Sequence, residues 1–341
     1  MNPNIATAVR KVRVGVVGIG YLGKFHAEKY ALIPEVEIVG LADIIPTRAQ
    51  AVADNLGTAW FQDYHSLLGA VDAVSVVVPT DLHYSVAKDF LQAGADVLLE
   101  KPISTTLGEA EDLMATATQC KRILQVGHLE RFNPAILTAK EKIHTPLFIE
   151  SHRLTPFKGR GTEVDVVLDL MIHDLDIIQS LVRSKVVHIH AVGVPVITEK
   201  VDIANVRLQF EGGCVANVTA SRISAEDQRR IRIFQPDTYL SVDYAAKKIM
   251  VYRRIFTPAS PLAKIAMEKI EVTPGDALEN EIRSFIHSSL NRTDPLVTGE
   301  DGKRALAVAL EINEQIQANF QRIPSIISFY AKRENFPVAS T

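Results

Sequence analysis

The chain has 341 residues, room for about two domains and a large buried core. Apolar residues make up 47% and charged residues 23%, an ordinary globular balance, and the net charge of -3 argues against a nucleic-acid binder, whose footprint is a basic domain or stripe. No uninterrupted apolar run reaches the ~18 residues of a membrane helix, and Cys120 and Cys214 lie outside any CxxC or Cys/His pattern, so they read as reduced thiols and not as a metal site.

The opening segment sets Arg10, Lys11 and Arg13 before an apolar stretch, as a signal peptide would. Three glycines and then Lys24 and His26 break that stretch. It reads as a buried strand and turn, which places the protein in the cytoplasm. From there short β-rich runs alternate with helical patterns. Strands are expected at Val12–Val17, Val36–Ala42, Ala73–Val78 (apolar except for Ser75), Val97–Glu100 and Arg122–Val126. Helices are expected at Tyr21–Leu32, Pro46–Asn55, Ser85–Ala93 and Leu107–Gln119. Apolar strands without alternation are buried on both faces, and repeated βα units imply a doubly wound parallel sheet. Residues 1–127 therefore form a Rossmann domain in this α/β chain.

After about residue 128 the pattern changes. Asn133–Lys142 and Leu168–Leu181 look helical. Strand candidates follow at Val186–Val194, Ile203–Phe210, Val215–Arg222, Arg229–Phe234, Tyr239–Asp243 and Lys248–Tyr252, with short turns that favour a mostly antiparallel sheet. Thr257 to Pro261 reads as a loop, and closing helices fall near 276–320. The second, α+β domain is expected over 128–322, with a C-terminal tail at 323–341.

Gly18, Gly20 and Gly23 have GxGxxG spacing between the first strand and the first helix. Gly18 permits the tight turn, Gly20 lets the backbone approach a pyrophosphate, and Gly23 lets helix and strand pack closely. Asp43 follows Gly23 by 20 residues, where a carboxylate accepts from the adenosine ribose hydroxyls and repels a 2′-phosphate. That favours NAD over NADP. The alternative use of Asp43 is to cap the helix near Pro46. Arg48 is either a solvated helix residue or a receiver for the phosphate of NADP.

Glu100-Lys101-Pro102 lies at the carboxyl edge of the parallel sheet, which faces the ligand crevice. Lys101 there can touch cofactor and substrate, with Pro102 stiffening the turn; otherwise it is an ordinary surface lysine. Further on, Asp169 and His173 are i and i+4 on one expected helix. A carboxylate beside an imidazole suits a proton acceptor, although Asp174 and Asp176 leave the acid partner open.

The ordered set GIGYLG (18–23), VVVPTDLHYSVA (76–87), EKP (100–102), GHLERFNP (127–134) and DLMIH (169–173) resembles the Gfo/Idh/MocA oxidoreductase family, from about Val12 to Phe320. The resemblance implies that Lys101 contacts substrate and nicotinamide, and that Asp169 and His173 bind the substrate hydroxyl with His173 as general base. It implies cofactor contacts for Tyr21, Leu22, Pro79, Thr80, His83 and Glu100 as well. It also implies an open second-domain sheet that mediates homodimers or homotetramers. Many relatives have glycine where this chain has Met171, which would narrow or reshape the substrate pocket. His128 and Arg131 join the expected substrate residues, with a pocket-wall or hydrogen-bonded core role left open for His128.

The segment 152–162 carries Arg153, Lys158 and Arg160 beside Gly159 and Gly161. Read as a loop, it suits the diphosphate of a sugar nucleotide; otherwise it is a solvated basic loop. Whole-segment similarity points to the branch acting on the 3-hydroxyl of UDP-N-acetylglucosamine. The alternatives are an inositol or other polyol dehydrogenase, and, in another class, a non-catalytic dinucleotide-binding sensor or scaffold. No nucleic-acid or membrane partner is expected.

Overall fold

The computed structural model describes residues 11–159, 164–257 and 260–322, so the tail at 323–341 lies outside the described residues. The chain divides into two compact units. One joins 1–137 with 273–306, and the other joins 138–272 with 307–341.

The first unit is built on six parallel strands, β1 (Val12–Val17), β2 (Val36–Ala42), β3 (Ala59–Phe61), β4 (Ala73–Val76), β5 (Asp96–Glu100) and β6 (Leu124–Gly127), in the order β3-β2-β1-β4-β5-β6. This is the dinucleotide-binding order, with the chain reversing direction across the sheet between β1 and β4. Crossovers run through α1 (Tyr21–Tyr30), α2 (Pro46–Leu56), α3 (Thr80–Gln92) and α4 (Leu107–Cys120). The helix expected from Ser85 starts at Thr80, directly after Pro79, which puts its first turn at the carboxyl end of β4. The α4 start is fixed by a capping box between Thr106 and Glu109. After β6 come a 3-10 turn, Leu129–Phe132, and α5 (Pro134–Lys140).

The helix after the second sheet, α7, belongs to this first unit, which departs from the expected boundary at 127/128. Its bounds are Ala277–Asn291, with the Asp276 side chain capping the Glu279 N–H. Ile282, Phe285 and Ile286 are buried in one cluster with Val12, Val14 and Val16 of β1. Lys29 of α1 pairs with Asp276 at 2.7 Å.

The second unit is an eight-stranded sheet. Its strands are β7 (Phe148–Leu154), β8 (Val186–Val194), β9 (Ile203–Phe210), β10 (Val215–Ser221), β11 (Gln228–Phe234), β12 (Thr238–Asp243), β13 (Lys248–Thr257) and β14 (Ser260–Ile270). The order is β14-β13-β12-β11-β7-β10-β9-β8, antiparallel except where β7 runs parallel to β10. Ile149, Ala216, Val218, Ile231 and Ile233 are buried on one face, in strict alternation. A π-helical turn, Val167–Met171, leads into α6 (Ile172–Val182), which packs on β7 and β10. The last helix, α8 (Gly299–Phe320), is shared between the two units. Three strands were not read from sequence: β3, β7 and β14. The stretch taken as a loop, 257–261, is where β13 ends and β14 begins.

Candidate active site

The glycine turn of the first unit is shaped to receive a dinucleotide. Gly18 adopts φ +89°, and a Cβ there would overlap the Val77 carbonyl. A Cβ on Gly23 would collide with the Gly18 carbonyl, so close packing of α1 on β1 requires glycine. Nothing lies within 4 Å of a Cβ on Gly20, which leaves open space on the side where a pyrophosphate is expected. These three positions fit the roles their spacing implies.

Asp43 ties the turn to the end of β2. It is buried, one carboxylate oxygen accepting the Ile19 N–H at 2.7 Å and the other the Ile45 N–H at 2.8 Å. The second bond is the local one foreseen for a cap near Pro46; the first reaches across to the glycine turn. Gly18, Gly20, Asp43, Arg48, Tyr64 and Pro79 line one cavity of ≈ 460 Å³. Arg48 is exposed on its rim. Tyr64 and Gln62 also line it and were missed, because they follow the three-residue β3 that carries no readable pattern. The Tyr64 hydroxyl donates to Asp89 at 2.7 Å. Thr80 opens α3 and is half-buried, while Tyr21 is exposed with its ring edge-on to Phe25. Leu22 is exposed on the same helix turn.

His83, expected to contact cofactor, is held between two backbone carbonyls. It is buried, Nδ1 lying 2.7 Å from the Pro102 carbonyl and Nε2 2.9 Å from the Val78 carbonyl. It therefore braces the backbone between the cavity wall and the segment after Lys101. Burial pushes its imidazole below the ordinary histidine range, against the pull of both carbonyls. Lys101 directly follows β5 and is half-buried. Burial alone would raise the neighbouring Glu100 carboxyl, but the hydrogen bond from His26 and the charges of His26, Lys101 and His83 hold it below the carboxylate range.

His128 and Arg131 are both buried in the first unit. Arg131, an expected substrate residue, donates to the Leu296 carbonyl at 3.3 Å, a tie from the 3-10 turn to the segment after α7. For His128 the core alternative fits its burial.

In the second unit the Asp169 and His173 segment is not one regular helix. Asp169 sits on the π-helical turn and His173 on the first turn of α6; both are half-buried. π-turns of this kind cluster at functional sites. Asp165 fastens the start of the turn, accepting from Val167 and Leu168 N–H at 2.9 and 3.0 Å and from Asn313 at 3.0 Å. Met171 is fully buried in the interior.

Arg153 is not on a loop. It lies on β7 with its side chain 4% exposed, Nε 2.6 Å from Asp174. Asp174 also accepts from Ser151 at 2.7 Å and from the Tyr244 hydroxyl, and the guanidinium lies over the Tyr244 ring. The basic segment thus loses one of its three expected cations to an internal ion pair, and Asp174 is removed as a partner for His173. Lys158 is exposed beyond β7; Arg160 lies outside the described residues. Among the described residues no His, Cys, Asp or Glu cluster could hold a metal ion.

A Rossmann sheet with this glycine turn, in one chain with a mostly antiparallel mixed-sheet unit, defines a dinucleotide-binding oxidoreductase of two-domain type. Residues 12–128 match the Gfo/Idh/MocA oxidoreductase family, NAD-binding Rossmann fold, and residues 144–236 match that family's C-terminal domain. The chain belongs to this family. It is 38% identical over 312 residues to UDP-N-acetylglucosamine 3-dehydrogenase from Acidithiobacillus ferrooxidans, covering 91% of this chain and 99% of the relative. The solved structure of that enzyme superposes with a TM-score of 0.85, over 90% of this chain and 98% of the other. Myo-inositol 2-dehydrogenase from Thermotoga maritima is 25% identical, over 90% and 96% of the two chains.

Proposed function

We propose that this protein oxidises the 3-hydroxyl of UDP-N-acetylglucosamine with NAD. The observation that carries the substrate is the near full-length similarity to an enzyme of that name, at 38% identity against 25% for the myo-inositol relative. Bound NAD supplies the hydride acceptor. The glycine turn and the cavity beside it hold the dinucleotide. Asp43 accepts from the ribose hydroxyls and disfavours a 2′-phosphate, so NAD is preferred to NADP. His173 takes the proton of the reacting hydroxyl, Asp169 orients that hydroxyl, and Lys101 touches it at the carboxyl edge of β5. Lys158 binds the diphosphate; Arg160, the other cation expected there from sequence, lies outside the described residues.

The same reading makes the protein a cytoplasmic homodimer or homotetramer. Two thiols without disulfides suit a reducing compartment, and among the described residues no helix is long and apolar enough to cross a membrane. A ladder of stacked rings, Phe148, Phe234, Tyr239 and Tyr252, with centroids 5.5, 4.7 and 4.9 Å apart, lies on the sheet face opposite Ile149 and Ile233 and suits a subunit contact. Light scattering on the purified protein reads the assembly; a monomer at micromolar concentration contradicts it. The activity test is a screen of UDP-sugars and polyols with NAD, followed by absorbance of the reduced nicotinamide. Turnover of inositol with no turnover or binding of any UDP-sugar would move the protein to the polyol branch.

A further inference from the structure

Ser75 is the polar residue of an otherwise apolar strand, β4, and it is fully buried. Buried polar groups are hydrogen-bonded, so its presence asks for partners. It has two. The Tyr30 hydroxyl lies 2.8 Å from its Oγ, and His26 Nδ1 lies 3.1 Å away. His26 Nε2 lies 3.1 Å from the Glu100 carboxylate. Tyr30 and His26 are both fully buried. Four side chains from α1, β4 and β5 thus form one chain that ends beside Lys101.

One bond of the chain has a direction fixed by chemistry. An ionised carboxylate only accepts, so Nε2 of His26 carries the hydrogen of that bond. With the imidazole neutral, Nδ1 accepts from Ser75 and Ser75 from Tyr30; with it protonated, Nδ1 donates to Ser75 and Ser75 to Tyr30, and the chain is continuous either way. Every polar atom in the chain is used, and its far end is closed: Tyr30 is buried, and burial pushes its hydroxyl pKa up. The chain therefore does not carry protons to solvent. What it fixes is the carboxylate. The other Glu100 oxygen receives the Lys101 N–H at 3.3 Å. On its remaining side, a Cβ at Gly127 would stand 3.1 Å from the carboxyl carbon, so glycine there leaves the space the carboxylate occupies.

We propose that Glu100 is a positioning residue for Lys101: its carboxylate, oriented through Tyr30, Ser75 and His26 and accepting the Lys101 backbone N–H, holds that residue at the end of β5 with a negative charge beside it. This rests on the reading of Lys101 as the group that touches the reacting hydroxyl. The groups facing Glu100 are His26 from α1, His83 from α3 and Lys101 beside it; Glu281 of α7 faces the Tyr30 end. Removing the carboxylate charge leaves an ammonium with a weaker reason to stay protonated, which shows at alkaline pH. A chain that only fastened α1 to the sheet would affect stability and leave the pH profile alone.

The test uses the full-length enzyme, UDP-N-acetylglucosamine and NAD, with Glu100→Gln, Tyr30→Phe, Ser75→Ala and Lys101→Met. Binding of reduced nicotinamide dinucleotide, read by fluorescence, checks that the cofactor site has folded. Glu100→Gln is expected to lower turnover about ten- to a hundredfold, the scale of a misplaced catalytic group. It should also move the alkaline limb of the kcat/KM profile down by about one pH unit. Tyr30→Phe and Ser75→Ala, which touch no ligand, should move the same limb in the same direction by less, with KM within about twofold. If Lys101→Met abolishes turnover while the other three variants keep the parental pH profile, this inference fails and the role of Lys101 stands. If Lys101→Met keeps normal turnover, both fail. Should Glu100→Gln not bind the dinucleotide, the profiles of Tyr30→Phe and Ser75→Ala decide, and unchanged profiles overturn the proposal.

Discussion

Both oxygens of the Asp43 carboxylate already accept a backbone N–H, yet each keeps a lone pair that a ribose hydroxyl can use. The same carboxylate repels a phosphate. NAD is therefore expected to bind at least tenfold more tightly than NADP, or ~1.4 kcal/mol. Asp43→Ala should shrink that gap while also loosening the glycine turn, read by titrating both dinucleotides against protein fluorescence. Equal affinities in the parent protein would remove Asp43 as the discriminator. Lys101→Ala and His173→Ala should each lower turnover by roughly 10²–10⁴, the scale of a positioned acid or base, with dinucleotide affinity little changed. The glycine turn and the place of Asp43 against it were legible because they belong to a local motif built within a few tens of residues. Arg153 was not. A run of basic residues looks the same whether its charges meet solvent, substrate or a carboxylate 21 positions away, and here it is Asp174 that decides.

The missed strand β7 has the same cause. Its inward positions are Ile149, Ser151 and Arg153, so the expected alternation of apolar and polar residues is hidden by a buried ion pair and hydroxyl. The β14 strand was hidden differently: it is the sheet edge, with Ile265 and Met267 exposed, and an apolar-inside pattern is weak there. Arg153 and Asp174 hold the first turn of α6, which carries His173, against the middle of the sheet. Arg153→Met leaves Asp174 buried without its cation, so the second unit should lose about 3–5 kcal/mol, seen as an earlier urea midpoint. Lys158→Ala, at an exposed position, should leave that midpoint nearly unchanged and raise the KM for the UDP-sugar by roughly ten- to a hundredfold, as one charge-assisted hydrogen bond is worth about 1.5–3 kcal/mol. If both variants changed only KM, the ion pair would not be holding the helix.

For the molecule as a whole, the expected order of α/β unit then mostly antiparallel sheet holds, because each rests on periodicity that spans many residues. The boundary was less legible. The burial of α7 beside β1 joins residues more than 260 positions apart, and nothing in the sequence of an amphipathic helix names the surface it will cover. Acid stability follows from the carboxyls of both units. Burial alone would raise Glu100, Asp202, Asp276 and Asp301, but hydrogen bonds hold all four below the ordinary range, joined by nearby cations at all but Asp202. Folded carboxyls that bind protons less readily than unfolded ones contribute fully above about pH 4.5, and the contribution is lost as pH falls through their folded values. The thermal midpoint should therefore fall below about pH 4, after a smaller decline between about pH 7 and 5 from buried His83, which the unfolded chain protonates more readily than the folded one; a midpoint that rises on acidification would contradict these assigned environments.

The central claim is a hydride transfer from a sugar nucleotide to NAD, and one measurement reaches it most directly: initial rates of reduced nicotinamide formation with UDP-N-acetylglucosamine and with myo-inositol, side by side, at saturating NAD. The account predicts saturable turnover of the UDP-sugar, lost in His173→Ala, with inositol at least a hundredfold poorer in kcat/KM. Equal or better turnover of inositol, with no reaction of the UDP-sugar, would contradict it.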